Sequence, residues 1–444
     1  MLKRLIFAAF VTLSVIAPVC AAQIVNVEYI HKSIEQKWGV TVPYNPALGD
    51  EKIVANMKYL LTAVDVANQM LGTTTNYGND AQYATLVVAD TVATDTAIDT
   101  LIKAQEPKFT ITTTPDTDSF SFTTSAKGSF TIDWGDGTVQ PITRSRATVQ
   151  TYSHLYSTAA TYKITIEGQA TMYNISNPAI SFKNNENIAE LDGSLGKIFG
   201  TIGTGDTLAT QPVFSDTFSG CTSLTKISSD LFSGISGTMQ SMFSRTFYGC
   251  TNLTSIPSGL FASISGPAES LFGNTFEACI SLKSIPNDLF SSISGAASRM
   301  FMSTFRDCTS LQHVPAGLFS SISGAENSLF DSTFDGCTSL ETIPSGLFAG
   351  IDSTADMLFF ETFKNCENLT GIPANLFGDM SGDLMTQTFY GTFSGCTALT
   401  GQSAKIGSQF LYQKWPDATA TKTGNCYKDA SGLTDWADIP DDWK

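Results

Sequence analysis

Positive charge and histidine are scarce in this chain. Its 444 residues hold 25 Lys and Arg against 41 Asp and Glu, a formal net charge of −16. A surface of that sign repels phosphate backbones and anionic headgroups, so neither nucleic-acid binding nor electrostatic docking on a membrane is expected. The three histidines, His31, His154 and His313, fall in three separate regions and offer no catalytic triad. The H-E-x-x-H, G-x-S-x-G and P-loop patterns are missing, and with them the common hydrolase and nucleotide-binding chemistries. No catalytic residue, metal ligand or cofactor is therefore assigned, and the chain is not expected to be an enzyme. After residue 22 no apolar run is long enough to span a bilayer as a helix.

What is present begins with an export signal over residues 1–22. Lys3 and Arg4 make a basic start, an apolar run follows from Leu5 to Val19, and Ala21 and Ala22 offer small-residue cleavage sites. Export to the cell surface or medium is expected, with the periplasm as the alternative and no membrane insertion once the signal is removed. Cys20 raises the question of a lipid anchor, against which Val19 is a poor preceding residue.

Residues 23–105 have helical spacing. Val27, Ile30, His31, Ile34 and Trp38 share one helical face, closed by Gly39. Asp50 can cap a second helix bearing Ile53, Met57, Leu60, Leu61 and Val64, ended by Gly72. A third segment carries Leu86, Val92, Ile98 and Leu101. His31 has no partner motif and is a helix residue rather than a ligand.

At Pro107 the pattern changes to alternation. Phe109-Thr110-Ile111, Phe120-Ser121-Phe122 and Phe130-Thr131-Ile132 are half-buried strands by their period of two. Trp134-Gly135-Asp136-Gly137-Thr138 is a tight turn, followed by His154-Leu155-Tyr156 and by Tyr162-Lys163-Ile164-Thr165-Ile166. Asp133 and Asp136 are turn acceptors on this reading, since calcium needs more oxygens than two carboxylates supply. The order of these motifs over 107–170 resembles the PKD-type β-sandwich.

From residue 214 the chain repeats. Cys221, Cys250, Cys279, Cys308, Cys337 and Cys366 recur with a constant period of 29, and Cys396 follows at 30. A Thr-Phe pair precedes each cysteine, as Thr275-Phe276 precedes Cys279, and a leucine follows each at the third position. Such register defines stacked units that cannot bury their apolar groups alone. Phenylalanines four apart, such as Phe272 and Phe276, suit one side of a short helical turn. Leu253 to Pro257 suits a short strand ended by proline, and Leu260-Phe261 with Ile264 gives a second apolar stripe. In-register cysteines point the same way, so buried free thiols are expected rather than disulfides. Phe182, Asn185, Ile188 and Leu191 echo the unit at one end; Tyr427, Ala430, Leu433, Ile439-Pro440 and Trp443 echo it at the other, leaving Cys426 outside the ladder.

The T-F-x-x-C-x-x-L-x-x-I-P pattern with a following G-L-F resembles the BspA-type leucine-rich repeats of bacterial surface proteins, with a longer period and an extra G-L-F-x-x-I segment. The expected class is thus α+β and multidomain: a helical region over 23–105, a PKD-like β-sandwich over 107–170, and a leucine-rich-repeat solenoid of 29-residue units with caps over 178–444. The resemblance implies surface adhesion to a protein or glycan of a host or neighbouring cell. The candidate ligand face is the exposed strand row, where Lys226, Lys283, Gln312, His313 and Glu341 supply the chemical variety on a Thr/Ser background. A structural spacer or coat component is the alternative, supported by the charge-poor, Ser/Thr/Gly-rich surface.

Overall fold

The computed structural model describes residues 108–174, 176–200 and 213–444. The expected signal peptide and the expected helical region 23–105 lie outside the described residues.

Alternating Thr/Ser and aromatic or β-branched residues build eight strands: β1 (Lys108–Thr113), β2 (Thr117–Thr124), β3 (Lys127–Asp133), β4 (Val139–Arg144), β5 (Gln150–Ala160), β6 (Lys163–Met172), β7 (Ile180–Ser181) and β8 (Ile188–Gly193). They pair antiparallel into a five-stranded sheet, β4-β3-β6-β1-β8, and a three-stranded sheet, β5-β2-β7. The period of two sends Phe109, Ile111, Phe120, Phe122, Phe130, Ile132, Ile164 and Ile166 into a common core. Trp134 fills it beside Phe122, and the Tyr156 hydroxyl donates to the Trp134 carbonyl at 2.8 Å, tying β5 to the turn after β3. Arg144 is buried without a carboxylate: its guanidinium donates to the carbonyls of Ala126 and Thr148, to Gln150 Oε1 at 2.8 Å and to the Tyr152 hydroxyl at 3.2 Å.

Strands β7 and β8 come from the segment that sequence repetition marks as a degenerate first unit. It belongs to both regions. Phe182 packs on Phe109, Phe120 and Phe122 and also stacks on Phe218 of the first full unit, 5.4 Å away with planes 3° apart.

Beyond residue 213 the Thr-Phe segments form a ribbon of overlapping turns. In the unit around Phe243, even-numbered residues donate locally, to the third residue back: Ser244 to Ser241, Thr246 to Phe243, Tyr248 to Arg245 and Cys250 to Phe247. Odd-numbered residues donate to the next unit: Phe243 to Leu271, Arg245 to Gly273, Phe247 to Thr275 and Gly249 to Glu277. Every amide of this stretch is satisfied, half locally and half across units. Positive φ recurs at every fourth residue, as at Ser241, Arg245 and Gly249 or Ser270, Asn274 and Ala278, which places the third residue of alternate turns where a type II turn requires it.

These turns stack with their side chains in columns. Phe247, Phe276, Phe305 and Phe334 lie 5.3–5.7 Å apart with planes within 8°. A second column, Phe243 to Phe330, and a third, Phe261 to Phe319, lean on each other with centroids 4.7–4.9 Å apart. Each ring excluded from water contributes on the order of 2–3 kcal/mol before packing terms. Polar ladders run beside the rings. The buried hydroxyls of Thr275, Thr304 and Thr333 each donate at 2.9–3.0 Å to a phenylalanine carbonyl of the preceding unit. The thiols of Cys279, Cys308 and Cys337 do the same at 3.2 Å. All eight cysteines among the described residues are buried and free.

The expected α+β class with a leucine-rich-repeat solenoid is corrected by this architecture. Regular structure among the described residues is mostly antiparallel sheet. The α-helices are three single turns, α1 (Leu195–Ile198), α2 (Leu411–Lys414) and α3 (Ala420–Thr423), with short 3-10 turns at Trp436–Asp438 and Asp441–Trp443. None lies in the regular repeats: the phenylalanines four apart sit on a turn ribbon, not a helix. Nor do the Leu-x-x-Ile-Pro segments form a strand ladder. They make isolated parallel bridges, such as Ser255↔Ser284 and His313↔Thr342, because the following proline ends pairing after one or two bonds.

At the far end Tyr427 stacks on Phe393 at 5.7 Å, and Trp443 covers Tyr427 and Phe389. The insertion before this lid holds a two-residue hairpin, β9 (Lys405–Ile406) with β10 (Gln409–Phe410), together with α2 and α3.

Candidate functional site

In the five units from Cys221 to Cys337 the leucine after the cysteine and the following Ile or Val are buried, and the two residues between them face solvent. Backbone bonds hold these pairs in line: Lys283 N donates to Thr254 O at 3.1 Å, Glu341 N to Gln312 O at 3.0 Å and Thr370 N to Glu341 O at 3.2 Å. Such bonding sets side chains on neighbouring units roughly 4.8 Å apart, one rung per unit.

All five sequence-predicted residues lie in this exposed double row. Lys283, Gln312 and Glu341 occupy three successive rungs of one column, and His313 sits beside Gln312 in the other, its Nδ1 3.0 Å from Thr342 Oγ1. These four are brought together. Lys226 is not: it stands two rungs before Lys283, with its ammonium 3.7 Å from Glu190. Both partners of that pair are largely exposed, so it adds at most about 1 kcal/mol. The patch runs from a cation through an amide and an imidazole to a carboxylate. It can hydrogen-bond and pair charges.

A second chemically rich surface lies on the turn ribbon, where sequence reading assigned nothing. Arg245 lies 4.0 Å over the Tyr248 ring and 3.3 Å from Asp216. Arg306 pairs with Asp335 at 3.3 Å. Asp331 and Asp335 are buried, Asp331 accepting from Ser332 Oγ and Asp335 from Asn365 Nδ2. Burial pushes both carboxyls up to about 6; the cations of Arg306 and Lys364 oppose the rise at Asp335 but do not cancel it. Burial likewise raises Glu277, against its hydrogen bond from Asn274. The signal for this face was the variation at the two positions between Phe and Cys and at the two between Phe and the next Thr. A presumed helical turn gave no reason to group them.

In the sandwich turn Asp133 Oδ1 accepts from Gly135 N and Asp136 Oδ1 from Thr138 N, each at 2.9 Å. Asp136 Oδ2 lies 2.7 Å from His154 Nε2, a pairing that sequence reading did not foresee. The His154 hydrogen bond, then that of the Thr138 amide, holds the Asp136 carboxyl down at about 2. His154 also stacks on Trp134 at 5.1 Å. The arrangement locks the turn onto β5. Among the described residues no group of three or more His, Cys, Asp or Glu is arranged to hold a metal ion. Compared with known proteins, the chain matches no family model, no curated protein and no solved structure.

Proposed function

We propose that this is a non-enzymatic recognition protein, exported to the surface or the medium, that binds a protein or glycan of a host or neighbouring cell through the exposed double row. One observation carries the reading. Lys283, Gln312, His313 and Glu341 concentrate diverse polar chemistry on successive rungs, while the buried positions of the same units hardly vary. The resemblance to BspA-type surface repeats with a PKD-like segment points the same way, as an analogy.

The test is a titration of the full chain against a panel of glycans and extracellular-matrix proteins, beside the variant with all four residues changed to alanine. Binding by the wild type and its loss in the variant is the expected result, with stability changed by no more than about 0.5 kcal/mol because the sites are exposed. Unchanged affinity in the variant removes the site from this row. A wild type that binds no member of the panel favours a spacer role, for which the Thr/Ser regularity of the other rungs speaks.

A further inference from the structure

A repeat carries its own control, because a side chain that departs from its slot stands out against the same slot in neighbouring units. In the turn ribbon, the slot after the first phenylalanine holds Ser244 and Gly273 in two units, then Met302, Asp331, Phe360 and Tyr390 in the next four. Amide bonds from Ser303 to Asp331 O, Ser332 to Phe360 O and Glu361 to Tyr390 O, each 2.8 Å, set these four in one column. Met302, Phe360 and Tyr390 are only half-buried, and the last two stack 5.5 Å apart with planes 9° apart. The slot three residues earlier changes in the same place. Ser241, Ser270, Arg299 and Ser328 give way to Met357, half-buried beside Phe360, whose amide donates to the Met357 carbonyl at 3.2 Å. The core does not need these groups: Phe243, Phe247 and Phe261 are fully buried in units that carry serine or glycine in the same slots.

Two carboxylates flank this apolar strip without a countercharge. Asp331 stands between Met302 and Phe360 in the column, 9% exposed, and accepts from the Ser332 hydroxyl. Asp356, next to Met357, accepts from the Thr386 amide at 3.0 Å. Neither has a Lys or Arg within 4 Å, because the nearby cations are engaged, Arg306 with Asp335 and Lys364 with Glu361. Burial is what lifts the Asp331 carboxyl, and an ammonium or guanidinium brought beside it would offset that burial. Methionine adapts its shape to what lies on it, and aromatic rings commonly anchor interfaces. From Met302 to Tyr390 the column climbs three rungs, roughly 15 Å at the spacing of stacked strands and about three turns of an α-helix.

We infer that this end of the ribbon face is a docking strip for a basic amphipathic segment of another protein, with apolar side chains on Met302, Met357, Phe360 and Tyr390 and Lys or Arg beside Asp331 and Asp356. The strip lies in a different segment of each unit from the exposed double row and stands whether or not that row binds a ligand.

The probe is a labelled helical peptide with leucine on one face and lysine on the other, titrated against the full chain by fluorescence anisotropy. It should bind, and its counterpart with glutamate for lysine should not. A chain of net charge −16 attracts any cation, so the deciding variant leaves charge alone. Phe360→Ser/Tyr390→Ser, which installs the residue found at Ser244, should weaken binding at least about tenfold with an unchanged circular-dichroism spectrum. Asp331→Asn/Asp356→Asn, which keeps the apolar strip, should weaken it as well and reads the same contact through charge should the serine variant fold poorly. A wild type that does not bind the leucine/lysine peptide overturns the inference. So does affinity unchanged in both variants, or a peptide of lysine without leucine binding as tightly, either of which would reduce the attraction to bulk charge.

Discussion

The two described regions satisfy their backbones in opposite ways. In the sandwich only the β3–β4 hairpin is local; the other strands bond to strands distant in sequence, so β1 is completed only when β6 and β8 arrive. In the turn ribbon of the repeat stack half the amides bond within their own turn and half bond to the following unit, and the exposed row bonds back to the preceding one, so a unit needs only its neighbours. The buried polar groups differ in the same sense. Arg144 of the sandwich collects acceptors from two separate segments, Ala126 and the stretch from Thr148 to Tyr152, whereas the threonine and cysteine ladders repeat one bond to the preceding unit. Closure holds one region together, and repetition holds the other.

Removing a ring from the middle of the stack tests that difference most severely. Phe276 is fully buried and stacks on Phe247 and Phe305, so Phe276→Ala loses both ring contacts and leaves a cavity in a column. Destabilisation of roughly 3–5 kcal/mol is expected in urea melts. A cost below about 1 kcal/mol would show that neighbouring units close the gap and that the columns are not rigid.

Acid should pull the two regions apart. Asp331 and Asp335 in the stack bind their protons more tightly folded than unfolded, with folded values of about 6 against 3.8. Their penalty is therefore present in full above about pH 6, and stability rises as pH falls towards 4. Asp136 of the sandwich is the reverse, held down at about 2: its contribution is present above about pH 4 and is lost as pH falls through 2. Melts across pH 7 to 2 should show Asp331→Asn/Asp335→Asn flattening the upper limb and Asp136→Asn the lower one. An upper limb unchanged in the double variant would mean that the ribbon face is hydrated.

The smallest effect concerns the ribbon backbone. The residue before each ladder cysteine, and Asn184 before Asn185 in the same slot, has positive φ, and Asn184, Gly220, Gly249, Asp307, Gly336, Asn365 and Gly395 all tolerate it. Ala278 occupies the same slot at φ 58°. Ala278→Gly should stabilise the stack by about 0.5–1 kcal/mol, relief of left-handed strain outweighing the added freedom of the unfolded chain. Destabilisation on thermal melting would show that the Ala278 methyl is needed for packing.

The columns were legible in the sequence because a constant period with fixed Thr, Phe, Cys and Leu slots leaves no other way to bury them. The local conformation was not. A turn ribbon and a helix both bring residues four apart to one side, so Phe272 and Phe276 fit either. What separates them is the Gly, Asn or Asp before the cysteine, a left-handed signal that only gains meaning when read down the column. Proline after Ile256 was legible as the end of a strand, and it proved strong enough to prevent the strand altogether. In the sandwich, alternation located β1, β2, β3 and β6. The His154–Asp136 pair stayed hidden because it joins a turn to a strand on the far side of β4 in the chain. The exposed double row could be placed because it lies between two buried apolar residues in each unit from Cys221 to Cys337; the grouping of Asp331, Asp335 and Arg306 needed the stacking itself.

The unit-to-unit reach of the backbone bonds has a consequence for how such a chain changes length. A unit touches the one before and the one after and receives no other information about its place. Deleting the whole unit from Phe272 to Met300, or copying it once more, leaves every remaining rung with a like neighbour on each side. The number of rungs is therefore not encoded in the packing of any of them. It is set only where the series stops, by Phe182 in the sandwich and by the Trp443 lid, and a lineage can lengthen or shorten the exposed row in whole steps without redesigning a core.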